Sequence, residues 1–253
     1  MGRTALAILA LLSLSGSAAT SWSDGWVDGW VDGGSSGTAL SANWAGYLNA
    51  VGPLTSVTST FNVPSATQRN PGQAEYASVW DGIGGASMAT TALVQAGIHI
   101  QVSPDGAATY STFVEGLSYS GAFVYQTPVA VTPGNRVMVS VTEIGSTQVR
   151  YQILNQSTGV GFDHTYAFGG DSTSAEWIVE APHYNGTLAI TPRLSAVRFE
   201  DTGVTPGPGV IPITMATYPT GAPIYVASPL AHGGFTVHSQ LGSPKSLDGG
   251  PHA

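Results

Sequence analysis

The chain has 253 residues, 42% of them hydrophobic and only 9% charged, whereas an ordinary soluble domain carries about 25% charged residues. Fifteen acidic and seven basic residues give a formal net charge of −8, which excludes the basic surface typical of nucleic-acid-binding proteins. The absence of cysteine excludes disulfides and a cysteine nucleophile, so the fold has to be stabilised by core packing.

The sparse charge predicts tolerance of acid. When the carboxylates are protonated, the positive charge is limited to seven Lys and Arg and six His, so the like-charge repulsion that unfolds proteins stays small. Few carboxylates also means few stabilising ion pairs to lose on acidification. The alternative is a neutral, Ser/Thr/Gly-rich secreted protein without any adaptation to acid.

The first predicted element is an export signal over residues 1–19. Arg3 precedes the apolar run ALAILALLSL, and Ser17-Ala18-Ala19 supplies the small residues that signal peptidase accepts. The apolar run is too short to span a bilayer comfortably. We therefore expect a secreted, extracellular protein that has no membrane association once the signal is removed.

Residues 20–40 are predicted to form a Gly/Trp/Asp-rich spacer or a short pro-segment. They contain the sequence Asp-Gly-Trp-Val twice, at 24–27 and 28–31. Two copies of a four-residue unit are too few for a solenoid or propeller, which need longer and more numerous repeats. An aromatic motif that docks on a groove or a sugar is the alternative.

From residue 41 to 241 the sequence predicts one all-β domain. Apolar residues alternate with polar ones around Val57 and Phe61 and again around Val139, as expected of half-buried strands. Pro104-Asp105-Gly106 and Gly145-Ser146 are typical hairpin turns. Because no helical periodicity follows the signal, we predict a single antiparallel β-sandwich of two sizeable sheets. Residues 242–253, rich in Gly, Pro and Ser, are predicted to be a flexible tail.

Several common catalytic and binding sites are not expected. The nearest match to a serine-hydrolase elbow, at 116–121, has the wrong spacing. The six histidines show no pairing typical of metal ligands, so we expect neither a metal nor another cofactor. Asp201-Thr202-Gly203 matches the active-site string of aspartic proteases, but it occurs once and the dyad needs two, so we predict a strand-ending turn.

The remaining candidates are polar residues inside apolar runs. Glu115 lies in YSTFVEGL, and Glu176 and Glu180 lie in AEWIVE, where a strand would place both on one face. They either decorate a solvated face or lie on a concave one, where partial burial raises a carboxyl pKa and suits it to acid–base chemistry. Gln95, in TALVQAGIHI, is either a satisfied core glutamine or an amide that orients water or an oxyanion.

Five strings in order make the chain resemble the glutamic peptidases, or eqolisins. They are NWAG at 43–46, FNVPSA at 61–66, VWDGIGG at 79–85, LVQAG at 93–97 and AEWIVE at 175–180. The resemblance implies a concanavalin A-like or jelly-roll-like sandwich of two roughly seven-stranded sheets with the active site on a concave face. It also implies an acid endopeptidase that acts on polypeptides, and we expect a monomer.

By motif position, the resemblance makes Gln95 and Glu180 the catalytic pair. Glu180 would take a proton from the attacking water or donate one to the carbonyl or leaving amine, in an order that the sequence leaves open. Gln95 would help to hold the water and stabilise the oxyanion. Glu176 would be a supporting neighbour in the substrate groove rather than a catalytic residue.

The same resemblance assigns groove positions. Trp44 and Trp80 match groove tryptophans, and Glu115 matches a groove glutamate. His99 replaces an aspartate of the fungal members, and Gly84 replaces another. A positive His99 near the site in acid would favour the ionised form of Glu180.

Two other functions fit parts of the same pattern. Two glutamates on a concave sheet also describe retaining glycoside hydrolases, whose carboxyls lie about 5–5.5 Å apart. A lectin-like module could instead use Trp44 and Trp80 as stacking platforms. Neither alternative gives Gln95 a special role.

Overall fold

The computed structural model describes residues 22–23, 38–50, 52–86, 92–118, 121–205, 210–217 and 222–242. The predicted signal lies outside these residues, as do most of the predicted spacer and all of the predicted tail beyond Gly242. Within these ranges, the chain has no helix with the length and apolar character needed to cross a bilayer.

Every regular element that the structure describes is a strand. The strands are β1 Trp22–Ser23, β2 Ala39–Ser41, β3 Trp44–Asn49, β4 Ser56–Asn62, β5 Ala66–Thr67, β6 Glu75–Gly84, β7 Ala92–Val102, β8 Ala108–Ser118, β9 Gly121–Gln126, β10 Arg136–Ile144, β11 Gln148–Asn155, β12 Val160–Ala167, β13 Ala175–Glu180, β14 His183–Tyr184, β15 Thr187–Leu188, β16 Arg193–Leu194, β17 Val197–Thr205, β18 Val210–Ala216, β19 Pro223–Ala227 and β20 Phe235–Ser239. The all-β prediction is therefore confirmed.

The alternating runs of the sequence form paired strands. In β4 and β10 the pairing is antiparallel, with Val137 opposite Phe61 and Val141 opposite Val57. These four side chains are buried, while Thr58 of β4 and Ser140 of β10, which lie between them, are partly exposed. Glycines with left-handed φ angles close the predicted turns, including Gly106 (φ 87°) and Gly145 (φ 66°).

The two layers of the sandwich belong to one continuous hydrogen-bonded ladder. Sheet I has the strand order β12-β11-β10-β4-β17-β20-β19, and sheet II has the order β18-β3-β13-β6-β7-β8-β9. The sheets are joined because β18 and β19 pair with each other, with a register shift between Met215 and Ala216. The predicted sandwich of two antiparallel sheets is confirmed, and the join is a feature that the sequence pattern does not reveal.

The main core lies between the two sheets. Trp177 of sheet II donates a hydrogen bond from Nε1 to the carbonyl oxygen of Thr58 in sheet I, at 2.9 Å. Asp81 of sheet II accepts one from Ser59 of sheet I, at 2.8 Å. Polar contacts thus fix the two sheets against each other inside an apolar core.

Sheet II also carries a second apolar cluster, on the face that points away from sheet I. We call this face the site face. Strands β6 and β13 are consequently buried along their whole length. The buried apolar members of the cluster are Ala39, Trp44, Leu48, Trp80, Leu93, Phe113, Ile178 and Ile213.

The free edges of the ladder lie side by side. β12 and β9 stand at its two ends, in sheets I and II respectively. The ring of Tyr166 in β12 lies 5.2 Å, between centroids, from the rings of both Phe123 and Tyr125 in β9. We refer to these three residues as the aromatic seam.

The Asp201-Thr202-Gly203 string does not form a strand-ending turn. It lies inside β17, where the register with β4 shifts between Glu200 and Gly203. Asp201 takes a left-handed φ of 52°, which aspartate tolerates better than most residues. The prediction was wrong because a β-bulge and a turn favour the same residue types.

Candidate active site

All seven side chains singled out in the sequence lie on the site face of sheet II. Six of them lie in three rows of directly opposite residues that cross strands β13, β6, β7 and β8. The rows are Glu180–Ser78–His99, Ile178–Trp80–Gly97 and Glu176–Gly82–Gln95–Glu115. Trp44 of β3 lies opposite Glu180. The predicted placement of Glu176 and Glu180 on one strand face is confirmed, but both are fully buried rather than solvated.

Glu180 is held by hydrogen bonds to both carboxyl oxygens. Trp80 Nε1 donates to Oε2 at 2.7 Å, and Asn43 Nδ2 donates to Oε1 at 3.4 Å. The Asn43 amide is itself oriented, because Ser41 Oγ donates to its Oδ1 at 2.9 Å. Two donors suit a carboxylate, which accepts hydrogen bonds and donates none.

Gln95 is held in a single orientation by a neighbouring acid. Its Nε2 donates to Glu115 Oε2 at 2.8 Å, across the β7–β8 pairing. Its Oε1 is buried and has no hydrogen-bond partner among the described residues. The Tyr151 hydroxyl of sheet I donates a hydrogen bond to the main-chain oxygen of Glu115 at 3.0 Å, which fixes β8 against sheet I. The amide therefore offers a fixed acceptor on the site face.

Two tryptophans form the centre of the site. Trp44 and Trp80 meet edge to face, with ring centroids 5.0 Å apart and planes at 78°. The six-membered ring of Trp80 covers Gly82, where an added Cβ would lie 2.7 Å from Cζ3. A glycine at this position is what allows the indole to lie between Gln95 and Glu180. Both tryptophans are fully buried, so neither is an exposed stacking platform.

Glu176 is a buried carboxyl that no described residue satisfies. Neither oxygen has a hydrogen bond of normal geometry, and neither does the nearby Ser174 hydroxyl. Burial raises the pKa of Glu176 well above its ordinary value, and the negative charge of Asp171 raises it further, while the Ser174 hydroxyl opposes the shift. Burial prevails, so this side chain is a neutral carboxylic acid in acid solution.

His99 is packed rather than charged. Its ring stacks on Phe113 with centroids 3.8 Å apart and planes at 10°, and its Nδ1 lies 3.0 Å from Ser78 Oγ. Burial lowers the pKa of His99 from 6.5 to about 3. The expectation of a positive His99 in acid is therefore wrong above about pH 3, because the imidazolium would lose its hydration.

Two contributors to the site were missed. Asn43 lies inside the NWAG string, but nothing in that string indicates that its amide contacts Glu180. Ser78 occupies the register position between Glu180 and His99, and a lone serine in an apolar strand carries no signal. Where the structure describes the chain, no group of three or more His, Asp or Glu side chains could hold a metal ion.

The sequence and the fold are similar to those of known peptidases. The sequence profile of the peptidase A4 family matches residues 42–222, well over half of the chain. No curated protein matches the sequence. Among solved structures, scytalido-glutamic peptidase bound to a transition-state analogue inhibitor is 21% identical, with a TM-score of 0.65 over 78% of this chain and 98% of that one.

Two further solved structures share the fold. SCP-B, a member of the eqolisin family in complex with the tripeptide Ala-Ile-His, is 19% identical, with a TM-score of 0.60 over 78% of this chain and 98% of that one. Aspergilloglutamic peptidase from Aspergillus niger is 23% identical, with a TM-score of 0.54 over 65% of this chain and 99% of that one. At these identities the likeness shows the fold, whereas the profile match shows the family.

Proposed function

Because this chain belongs to the peptidase A4 family and is a glutamic-type endopeptidase, we propose that Glu180 and Gln95 form its catalytic dyad. The dyad acts on a water molecule to hydrolyse peptide bonds in acid, and the predicted export signal makes the enzyme extracellular. The substrates are polypeptides, and the enzyme needs no metal or other cofactor.

One observation carries this proposal. The Gln95 amide is fixed through Nε2, and its Oε1 lies on the same buried sheet face as Glu180, with no hydrogen-bond partner in the ranges that the structure describes. A core glutamine would be satisfied by its neighbours, as buried polar groups generally are. A half-satisfied amide on the same sheet face as a doubly hydrogen-bonded carboxylate is instead what water activation needs.

The geometry favours Glu180 acting first as a base. Trp80 and Asn43 already donate to its oxygens, which stabilises the ionised form. Glu180 takes a proton from the water while Gln95 Oε1 accepts the second O–H group, so that the water oxygen is free to attack the peptide carbonyl carbon. The second N–H of Gln95 Nε2 then donates to the oxyanion.

Collapse of the tetrahedral intermediate completes the reaction. The C–N bond breaks, and protonated Glu180 donates its proton to the leaving nitrogen, which gives one carboxylic acid and one amine. Glu180 returns to the carboxylate form, so the dyad is regenerated without any other reagent. His99, neutral above about pH 3, does not add a positive charge to this cycle.

The rival functions lack the geometry that they require. Glu176 and Glu180 lie four strand residues apart, about 13 Å between Cα atoms at 3.3 Å per residue, and Trp80 stands in the register row between them, which disfavours the 5–5.5 Å carboxyl separation of a retaining glycosidase. Glu115 is three strands away from Glu176 in the same row. A lectin-like role for Trp44 and Trp80 would leave the Glu180 carboxyl, which accepts a hydrogen bond from Trp80, and the oriented Gln95 amide without a function.

The proposal is tested by proteolysis of a denatured protein at roughly pH 2–5. Glu180→Gln and Gln95→Ala are each expected to lower kcat/KM by about 10²–10⁴-fold, because one removes the base and the other removes the amide that holds the water and the oxyanion. Pepstatin, which acts on aspartic dyads, should not inhibit the wild-type enzyme.

Two substitutions on sheet I serve as controls. Glu200→Gln and Gln152→Ala repeat the same chemical changes at positions far from the site face, and both should keep wild-type activity. Near-normal proteolysis by folded Glu180→Gln would show that the dyad is assigned wrongly.

A further inference from the structure

The site face holds a second carboxyl that the dyad does not use. Glu176 is fully buried, and neither of its oxygens has a hydrogen bond of normal geometry among the described residues, although the Ser174 hydroxyl lies close enough to oppose its pKa shift. A buried polar group without a partner costs about 1–3 kcal/mol, so native structures retain such groups only for a reason. Its position on the site face indicates that the reason is a ligand.

Two other atoms on this face have the same property. Within the described part of the chain, Trp44 Nε1 is a donor without a partner and Gln95 Oε1 is an acceptor without one. A neutral carboxylic acid adds both a donor and an acceptor. A peptide main chain presents the complementary groups, since each residue carries one N–H and one C=O.

The spacing also suits an extended peptide. Glu176 precedes Glu180 by four residues on β13, which separates their Cα atoms by about 13 Å. An extended substrate advances by about 3.3 Å per residue, so a residue within four positions of the scissile bond can reach Glu176. The Trp80 indole, over Gly82, forms the floor between the two carboxyls.

Burial is the main cause that keeps Glu176 neutral, and the charge of Asp171 acts in the same direction. The other acids on the site face are Glu180 and Glu115. The basic side chain on this face, among the described residues, is His99, which is uncharged above about pH 3.

We propose that Glu176, in its protonated form, hydrogen-bonds the main chain of the polypeptide substrate about two to four residues from the scissile bond. This inference rests on the proposed function, because the substrate and the position of the cut are taken from it. It makes Glu176 a substrate-binding residue, and its ionisation weakens substrate binding and raises KM. The value of kcat depends instead on the protonation state of Glu180.

Two substitutions of matched size separate the hydrogen bonds from the packing. Glu176→Gln keeps a neutral donor and acceptor, and Glu176→Leu keeps only the volume. At about pH 3.5 we expect Glu176→Gln to keep KM within about twofold and Glu176→Leu to raise it about tenfold, with kcat changed less than about threefold in both. As the pH rises through the raised pKa of Glu176, the wild-type KM should rise while that of Glu176→Gln stays low.

A binding measurement removes any dependence on turnover. In a Glu180→Gln background, the anisotropy of a fluorescein-labelled octapeptide should report weaker binding, by about tenfold, when Glu176→Leu is added and not when Glu176→Gln is added. Equal affinities for the Glu176→Leu double variant and its parent would overturn the role of Glu176 and leave the dyad standing. Activity of Glu180→Gln would instead overturn the dyad, while the anisotropy still tests Glu176.

Thermal unfolding distinguishes binding from a structural role. Both substitutions remove an ionisable group from a buried site, so we expect each to raise the unfolding midpoint at about pH 6. A Glu176→Leu protein with a raised KM and a lowered midpoint would contradict the proposal, because packing would then explain the loss.

Discussion

Trp80 connects the two halves of the proposed dyad. Its Nε1 donates to Glu180 at 2.7 Å, and its six-membered ring lies over Gly82, the register neighbour of Gln95. A hydrogen bond to a charged group typically contributes about 1.5–3 kcal/mol, more than one between neutral groups. The indole therefore orients the carboxylate as well as forming the floor of the site.

Replacement of Trp80 by phenylalanine should lower activity more than stability. Trp80→Phe keeps an aromatic ring over Gly82 but removes the donor to Glu180, so we expect kcat/KM to fall about 10–100-fold. Steady-state kinetics at about pH 4 checks this.

Trp177 provides the matched control for that substitution. Its Nε1 also donates a hydrogen bond, at 2.9 Å to Thr58, but into the core between the sheets. Trp177→Phe should lower the unfolding midpoint and leave kcat/KM near the wild-type value. If the two substitutions have the same effect on both quantities, the Trp80–Glu180 hydrogen bond has no catalytic importance.

At this scale, the sequence predicts which residues are candidates but not their charge states. Gln95 and Glu180 were identifiable because they stand in two ordered strings. The charge state of His99 was not, because it depends on stacking against Phe113 from the neighbouring strand. Burial of the ring, and not its residue type, sets its pKa.

Strand β6 shows how one element serves two environments. Trp80 and Gly82 point to the site face, while Asp81 between them points into the core and accepts a hydrogen bond from Ser59 of sheet I. All ten residues of β6 are buried, so the strand shows no polar–apolar alternation. Successive side chains still point to opposite faces, as in any strand.

A methyl group at Gly82 should displace the Trp80 indole. In Gly82→Ala, the new Cβ would lie 2.7 Å from Trp80 Cζ3 and 3.1 Å from the carbonyl oxygen of Val94. The ring has to move, so we expect the hydrogen bond to Glu180 to be lost and kcat/KM to fall at least tenfold. Kinetics and a crystal structure of the variant check both effects.

Gly121 of β9 is the control for a glycine-to-alanine change in sheet II. A Cβ added there meets no atom within 4 Å. Gly121→Ala should therefore leave activity unchanged. A Gly82→Ala enzyme with wild-type kinetics would show that the position of Trp80 is not critical.

Whether a strand could be predicted from the sequence depended on whether one or both of its faces are covered by other parts of the protein. β4 and β10 were predictable because alternate residues differ in exposure, and that alternation is visible in the sequence. The face to which Asp81 points was not, because both faces of β6 are covered. The sequence predicts a turn at Asp201 instead of the observed bulge, because the Asp-Thr-Gly string is short and its residue types are common in both structures.

For the whole molecule, a buried basic group and two buried acidic groups with shifted pKa values contribute to the dependence of stability on pH. Burial lowers the pKa of His99 to about 3, so the stability that it contributes is full above about pH 6.5 and is lost as the pH falls. Burial raises the pKa values of Asp81 and Glu176, so their contribution is full below about pH 4 and is lost as the pH rises.

We therefore expect the free energy of unfolding to be greatest near about pH 4. Above about pH 4 the two carboxyls with raised pKa values outweigh the one imidazole, so stability should fall with rising pH as these carboxyls are forced to ionise. Urea unfolding from about pH 2 to 8 measures this profile.

Two substitutions test the cause of the neutral-side loss. Asp81→Asn combined with Glu176→Gln removes both carboxyls while keeping neutral polar groups. This double variant should lose less stability than the wild type as the pH rises above about 4, because the two buried carboxyls with strongly raised pKa values are gone. A double variant that loses stability with rising pH as the wild type does would contradict the assignment.

The aromatic seam has a consequence for the behaviour of the protein in concentrated acid. As acid neutralises its fifteen acidic residues, the net charge passes from −8 through zero, where proteins associate most readily. Exposed sheet edges are the usual starting points for aggregation, and most proteins guard them with lysines. β9 carries no charged residue at all. Because Tyr166 of β12 packs over Phe123 and Tyr125 of β9, we expect these ring contacts to shield the two free edges partly from edge-to-edge aggregation at a pH where charge offers no protection.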